Sequence, residues 1–223
     1  VGALQKAGIN VYADIVFNQK MGADATEEVE AVEDAGNNRK NTVSGNESIE
    51  AWTKFTFPGR KGKYSDFIWD HTCFDGVDWD QRKGKSAIYN FEGSPWSTNV
   101  DTENANYDYL MGADVNFGNP KVVEELKKWG QWYCDTVHPD GFRIDAVKHI
   151  DSHFFPDWLG TLRGSCREEF FAVGEYWHQD IHVLEKYLNE CGRCMSLFDV
   201  PLHFNFFCAS HGQGNYDMRN ILS

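Results

Sequence analysis

The chain has 223 residues, of which 41% are hydrophobic and 15% aromatic, and this is enough to form a packed core. Its 34 acidic and 21 basic residues give a formal net charge of −13, which disfavours nucleic acid and anionic membranes as partners. No apolar run reaches the roughly 20 residues that cross a bilayer. We therefore expect a globular protein whose partners are neutral or cationic, such as sugars and metal ions.

The first predicted elements are the end of a helix in VGALQKAGIN and a strand in INVYADIVFN, residues 9–18. That strand is apolar enough to be buried on both faces, as in a parallel sheet. From about residue 20 to residue 118, glycine, asparagine, aspartate and aromatic residues break the pattern, with short strand-like pieces such as WTKFTF and SAIYNF. Because this region is too long for a loop, it predicts an irregular inserted subdomain.

Regular alternation returns after residue 118. Asn119 and Pro120 predict the start of a helix that ends before HPDG, and DGFRID, FFAVGE and SLFDVPLHF predict three strands separated by two helices. Alternation at this spacing predicts right-handed parallel crossovers, in an α/β barrel or in a doubly wound open sheet. The open sheet is disfavoured because no glycine-rich phosphate loop opens a helix.

Charged residues stand near the ends of two of these strands. Arg143 and Asp145 share one strand face because they lie two positions apart, and Glu175 ends the next strand. Neighbouring parallel strands would bring the carboxyls of Asp145 and Glu175 about 5 Å apart, as in retaining glycosidases. Asp145, kept ionised by Arg143, would attack, and Glu175, with its pKa raised by apolar and aromatic neighbours, would donate a proton. A structural ion pair between Arg143 and Asp145 is the alternative.

The segments DIVFN, GFRIDAVKH and FAVGEYW resemble, in the same order, three sequence motifs of the α-amylase family of glycoside hydrolases. NYDYLMGADVNFGNP, AWTKFTFPGR, YSDFIWD and FDVPLHFNF are similar to its liquefying, bacterial-type subfamily, so the resemblance spans nearly the whole chain. It implies an α/β fold, part of a TIM (β/α)8 barrel comprising the third to sixth strands, with an inserted irregular β-rich calcium-binding domain. The implied boundaries are 1–18 for a barrel segment, 19–118 for the insertion and 119–223 for a second barrel segment.

The resemblance also implies roles for individual residues. Asp145 would be the nucleophile, Glu175 the general acid/base, and Arg143 the residue that orients and polarises the nucleophile. The side chains expected to contact the sugar chain are Lys148, His149, Trp177 and Gln19. Calcium is the implied cofactor, since oxygen ligands suit a hard cation. Its expected ligands are Asn18, Asp108, Asp114 and the backbone carbonyl of His149.

The sequence also departs from the family pattern. Gln19 stands where the first motif normally ends in a histidine; because glutamine cannot carry a proton, we expect weaker substrate binding. Ser97, Asn116 and Gly118 replace acids that form further metal sites in the subfamily, and only Asp75 is kept, so a single calcium is expected. The NHD motif that carries the third carboxylate of the family does not occur. The chain is therefore expected to be part of a longer protein and to be inactive alone.

The function implied by the resemblance is retaining endo-hydrolysis of α-1,4-glucosidic bonds in starch, glycogen and related glucans. Two alternatives stay open: another glucosidase or transglycosylase of the same superfamily, and an inactive truncated remnant that binds glucan or calcium. The expected partner is an α-glucan, with neither nucleic acid nor a membrane, and the full-length protein is expected to be a monomer. Secretion is expected of an enzyme that meets polymeric starch. Because the subfamily also has cytoplasmic members, a cytoplasmic location stays an alternative.

Overall fold

The computed structural model describes residues 1–166 and 170–222. These residues form two sheets and five α-helices. The helices are α1 (Gly2–Lys6), α2 (Pro120–Val137), α3 (Phe154–Ser165), α4 (Ile181–Glu190) and α5 (Val200–His211). The strands are β1 (Tyr12–Ile15), β2 (Gln19–Lys20), β3 (Ala25–Ala35), β4 (Asn38–Thr42), β5 (Glu47–Lys54), β6 (Phe74–Asp80), β7 (Lys85–Phe91), β8 (Ala113–Val115), β9 (Gly141–Ile144), β10 (Phe171–Gly174) and β11 (Ser196–Leu197).

The first sheet contains β1, β9, β10 and β11 in that order, and all its strand pairs are parallel. Helix α3 follows β9 and helix α4 follows β10, which confirms the predicted alternation of strands and helices. Gly141 allows β9 and β10 to pair closely, because a Cβ atom there would lie 2.3 Å from the carbonyl oxygen of Phe171. The register of these two strands places Asp145 and Glu175 at neighbouring carboxyl ends.

Helices α2 and α3 pack against each other at a glycine. A Cβ atom at Gly130 of α2 would lie 3.0 Å from the Trp158 ring of α3, so only glycine allows this approach without a shift. Trp158 is fully buried, and its indole Nε1 donates to the carbonyl of Leu126 at 3.0 Å. Within the described ranges, no helix is both long and apolar enough to cross a membrane.

The insertion is more regular than its sequence pattern predicts. Its strands form an antiparallel sheet in the order β2, β8, β6, β7, β3 and β4, with β5 also paired to β3. SAIYNF lies in β7, as predicted, and the first three residues of WTKFTF are the end of β5. The prediction of a β-rich region is confirmed, and the predicted irregularity holds for residues 55–73 and 92–112, which contain no strand of this sheet. In β3, glutamates on the exposed face alternate with buried Val29 and Ala31, and this charge obscures the period of two.

The strand predicted over residues 9–18 is shorter than expected and is not buried on both faces. It spans Tyr12–Ile15, and Tyr12 is 44% exposed whereas Ile15 is 4% exposed. Within the described residues β1 pairs with β9 alone, so no strand on its other side covers Tyr12. An apolar run therefore marks the strand correctly but overstates its length and its burial.

The strand predicted for SLFDVPLHF is also wrong over most of its length. Only Ser196–Leu197 pairs with β10, and helix α5 begins at Val200. The Asp199 carboxylate accepts a hydrogen bond from the backbone N–H of Leu202 at 3.0 Å, and Pro201 occupies the first turn. These are strong helix-start signals that outweigh the β-like apolar composition.

Candidate active site

Arg143 connects three carboxylates at the carboxyl ends of β1, β9 and β10. Its Nη1 donates to Asp145 Oδ1 at 2.6 Å and to Asp14 Oδ1 at 2.8 Å, and its Nη2 donates to Glu175 Oε2. The structure thus brings together the three residues predicted to be catalytic. Asp14 was missed, although DIVFN contains it and the β1–β9 register places it opposite Arg143.

Backbone hydrogen bonds hold the two acids in place. The N–H of Asp145 donates to the carbonyl of Ile15 at 2.9 Å, and the N–H of Glu175 donates to the carbonyl of Ile144 at 2.8 Å. Immediately after Asp145, Ala146 adopts a left-handed conformation with φ of 51°, which turns the chain away from the strand. The two acids therefore lie directly after β9 and β10, tied to the neighbouring strands by these hydrogen bonds.

The surroundings of Glu175 and Arg143 shift the pKa values of both groups. Partial burial raises the pKa of Glu175, the positive charge of Arg143 opposes this rise, and the adjacent Asp145 carboxyl adds to it. Burial lowers the pKa of Arg143, but its hydrogen bonds to Asp145 and Asp14 outweigh burial and raise it overall. A carboxyl with a raised pKa next to a second carboxylate on the same arginine suits a proton donor and a nucleophile.

An open groove of about 550 Å³ is formed in part by residues that follow the two acids along the chain. Trp177 exposes 47% of its surface here, and its ring packs 5.0 Å from the ring of His203. Lys148 is mostly buried, and its Nζ donates to Glu103 Oε2 at 2.9 Å and to the Trp177 carbonyl at 3.3 Å. The groove thus combines an exposed aromatic face with a fixed ammonium group.

His149 is one of the residues that line this groove, and it is almost entirely buried. Its Nδ1 donates to the carbonyl of Tyr107 at 2.6 Å, and because a carbonyl only accepts, the ring proton must be on Nδ1. Burial lowers the pKa of His149 to about 4, which leaves the ring neutral at ordinary pH. Tyr107 precedes Asp108, so His149 joins the groove to the acidic segment of the insertion.

Gln19 is not among the residues that line this groove. It lies in β2, where it pairs with Asp114 of β8. Its side-chain Oε1 is buried and has no hydrogen-bond partner. The structure therefore groups Lys148, His149 and Trp177 together and places Gln19 beside the acidic residues of the insertion.

Three buried aspartates form a second acidic cluster. Asp75, Asp108 and Asp114 each offer a carboxylate oxygen, and these oxygens lie within 4.8 Å of one another. Burial first, and then the charge of Asp108, raise the pKa of Asp75 to about 9, and burial raises that of Asp108 to about 7. Burial also raises the pKa of Asp114. Across residues 1–166 and 170–222, none of the ion pairs with basic side chains involves these three.

The cluster has the chemistry of a site for a hard cation. Asp75 Oδ1 is buried without a hydrogen-bond partner, and Asn18 Nδ2 donates to Asp114 Oδ1 at 3.2 Å. Oxygen donors of this kind suit Ca²⁺, whose charge would offset that of the buried acids. Three of the predicted ligands, Asn18, Asp108 and Asp114, therefore lie together. Asp75 was expected only as a remnant of other metal sites; it lies close to the other two aspartates because β6 pairs with β8.

Comparison with known proteins decides the family. The model of the alpha amylase catalytic domain matches residues 1–220. The chain belongs to this family. Strands β1, β9, β10 and β11, with their helices, form a partial TIM-barrel-like fold, as expected of an α-amylase catalytic domain.

Similar α-amylase family members are found among bacilli. Over its whole length the chain is 51% identical to an α-amylase from Geobacillus stearothermophilus, 41% of which it covers. It is 52% identical to a glucan 1,4-alpha-maltohexaosidase from Bacillus sp. (strain 707) and 48% identical to an α-amylase from Bacillus licheniformis, and it covers 44% of each. The chain thus spans less than half the length of these relatives.

Proposed function

We propose that the protein containing this chain is an α-amylase that cleaves internal α-1,4-glucosidic bonds in starch, glycogen and related glucans with retention of configuration. The observation that carries the proposal is the bridge from Arg143 to Asp145 and Glu175 on neighbouring parallel strand ends. The names of the bacterial relatives support the same substrate class. The four parallel strands would be the third to sixth of the barrel, and residues 19–118 the inserted calcium-binding domain.

The proposed reaction divides between the two acids. Asp145 attacks the anomeric carbon and forms a covalent glycosyl–enzyme, while Glu175 protonates the oxygen of the departing sugar. Glu175 then takes a proton from water, which attacks the anomeric carbon and releases Asp145. Arg143 orients Asp145 through its hydrogen bond, and partial burial favours the protonated form of Glu175 by raising its pKa.

The groove beyond the acids would hold the departing part of the glucan. The exposed ring of Trp177 offers a flat apolar face to a sugar, and the ammonium of Lys148, which already donates to Glu103 and to the Trp177 carbonyl, keeps one donor for a hydroxyl group. His149 would contribute mainly through its backbone, since its ring is buried and bonded to Tyr107. For Gln19 we propose a weak contact with the sugar being cleaved.

Calcium would be held by Asn18, Asp75, Asp108, Asp114 and the backbone carbonyl of His149. The ion would supply positive charge to buried acids that otherwise repel one another, and so would stabilise the insertion against the parallel sheet. Tyr107 supports this role because it precedes Asp108 and accepts the hydrogen bond of the His149 ring.

The test is product analysis with the natural full-length protein on soluble starch. An endo-acting, retaining enzyme should shorten the polymer quickly, release few reducing ends at first, and produce the α-anomer by proton NMR. A β-anomer as the first product would exclude retention, and disproportionation of maltose would favour a transglycosylase. An absence of hydrolysis by the purified, folded protein would favour the inactive remnant.

A further inference from the structure

A second groove lies between the loop after Pro58–Arg60 and helix α2, and it has a volume of about 500 Å³. Two aromatic side chains stand at its mouth: Tyr64 is 75% exposed and Trp132 is 39% exposed. Their ring centroids are 5.4 Å apart, and the rings are inclined at 55°. Both rings are accessible in the described part of the chain, and aromatic faces of this kind can pack against a ligand.

The positions of the Tyr64 and Trp132 rings are fixed by the loop that carries Tyr64 and by helix α2, which carries Trp132. Tyr64 has a φ of 74°, a left-handed conformation that is costly for a bulky residue and that the neighbouring contacts must maintain. The adjacent Ser65 hydroxyl donates to Glu125 Oε1 of α2 at 2.5 Å, which ties the loop to the helix. Trp132 stands on the same helix, and its ring also contacts that of Tyr133. The two rings are therefore presented by connected elements.

The charges that line this groove balance. Arg60 and Lys128 contribute two positive groups, and Asp66 and Glu125 contribute two negative groups. A groove without net charge gives no electrostatic advantage to an anionic or a cationic ligand, but it offers several hydrogen-bond donors and acceptors. Inclined aromatic faces among alternating donors and acceptors fit a neutral, hydroxyl-rich chain whose successive rings turn, as in an α-1,4-glucan.

We propose that this groove is a second α-glucan-binding site, in which Tyr64 and Trp132 stack on consecutive glucosyl units. The identity of the sugar rests on the proposed function, whereas the existence of a sugar site rests on the groove itself. None of the residues that line it also lines the groove of Lys148 and Trp177, and none belongs to the group around Arg143. The site would hold the polymer on the protein while the other groove presents a bond for cleavage.

The test measures binding in the natural full-length protein carrying Glu175→Gln, so that no probe is consumed. The probes are β-cyclodextrin, followed by tryptophan fluorescence, and granular starch, followed by sedimentation. The double variant Tyr64→Ala/Trp132→Ala should raise the Kd for both by about tenfold, as expected for loss of two central aromatic contacts. The conservative Trp132→Phe should keep most of the binding.

Ile68→Ala is the matched control, because Ile68 is 49% exposed on the same insertion but has no aromatic face. It should leave both dissociation constants within about twofold of the Glu175→Gln parent. Thermal unfolding of each variant establishes that the fold is kept; if the double variant unfolds, the single Tyr64→Ala and Trp132→Ala variants take its place, each with a smaller expected loss.

Unchanged binding in the folded double or single variants would overturn the proposal, and so would an equal loss in Ile68→Ala, which would indicate nonspecific apolar adsorption. Hydrolysis of soluble starch by the protein with Glu175 intact is measured alongside. If that hydrolysis is absent but binding depends on Tyr64 and Trp132, the second site stands and the proposed function fails. If hydrolysis is present but the Kd does not change when Tyr64 and Trp132 are replaced, only the proposal of a second site is contradicted.

Discussion

The acids of this protein occur in two settings that differ in how their charge is balanced. At the strand ends, Asp145 and Glu175 share the guanidinium of Arg143 and remain partly accessible, with side-chain exposures of 25% and 29%. In the insertion, Asp75, Asp108 and Asp114 are at most 4% exposed. No basic side chain of the described residues forms an ion pair with them.

The difference shows what each group can do. Asp145 and Glu175 are held by an arginine and remain accessible to a substrate, so one can attack and the other can transfer a proton. A buried carboxylate without a cation either retains its proton or requires an external ion. The strand-end acids therefore suit a reaction, and the buried acids suit a structural metal.

The largest expected effect comes from removing the proposed nucleophile. Asp145→Asn in the full-length protein should reduce kcat on soluble starch by on the order of 10³-fold or more, because the amide cannot form the glycosyl–enzyme. Asp14→Asn is the matched control, since Asp14 bonds the same Nη1 of Arg143 but is 68% exposed. An equal loss of kcat in the two variants would mean that activity depends on the pairing of these acids with Arg143 and not on nucleophilic attack by Asp145.

Removing metal from the buried acids should reduce stability. A calcium chelator should lower the free energy of unfolding by about 4 kcal/mol if calcium was present at about 1,000 times its Kd. The double variant Asp75→Asn/Asp108→Asn should reduce the difference in unfolding free energy between the chelated and the calcium-loaded protein. Fewer buried carboxylates then depend on the ion for charge compensation. Calorimetric titration should give one tight calcium; an unchanged Tm with chelator, or two tight ions, would contradict this prediction.

Arg143→Gln should shift the pH profile as well as lower the rate. Glu175 must be protonated to act as an acid, so activity is lost as pH rises through its pKa. The charge of Arg143 holds that pKa down, and its removal should move the alkaline limb of kcat/KM to higher pH. Arg219→Gln, at an exposed arginine paired with Asp217, should leave the limb in place. A shift to lower pH would rule out Glu175 as the acid.

A more modest effect is expected in the groove beyond the acids. Trp177→Ala should raise KM for maltooligosaccharides by about fivefold and change kcat little, because a stacking contact made equally in the ground and transition states affects binding alone. Trp52→Ala, at a similarly exposed tryptophan of the insertion, serves as the comparison. A fall in kcat with unchanged KM would place Trp177 at the reacting sugar instead.

The smallest change is expected at Gln19. Gln19→His should raise kcat/KM on soluble starch by about threefold, since a histidine adds a ring donor and the option of a positive charge near the substrate. Steady-state kinetics of the two proteins at the same pH provide the measurement. No gain would indicate that the buried position of Gln19, rather than its residue type, limits its contact with the sugar.

Periodicity and motif order were enough to predict the central arrangement. Arg143 and Asp145 share a strand face by the period of two, and Glu175 follows on the next parallel strand, as the register confirms. Composition alone was misleading where local capping outweighed it, as at Asp199, whose carboxylate starts a helix inside a β-like segment. The exposed glutamates of β3 likewise obscured a regular sheet.

The sequence by itself determined the family, the alternation of strands and helices, and the residue types at the proposed site, because these depend on local patterns. Only the tertiary structure decided which distant residues meet. Asp14 reaches Arg143 through the pairing of β1 with β9, and Asp75 reaches Asp114 through that of β6 with β8. Tyr64 and Trp132, 68 positions apart, form one aromatic surface because the loop rests on α2. Such contacts depend on strand register and helix packing, which no local pattern encodes.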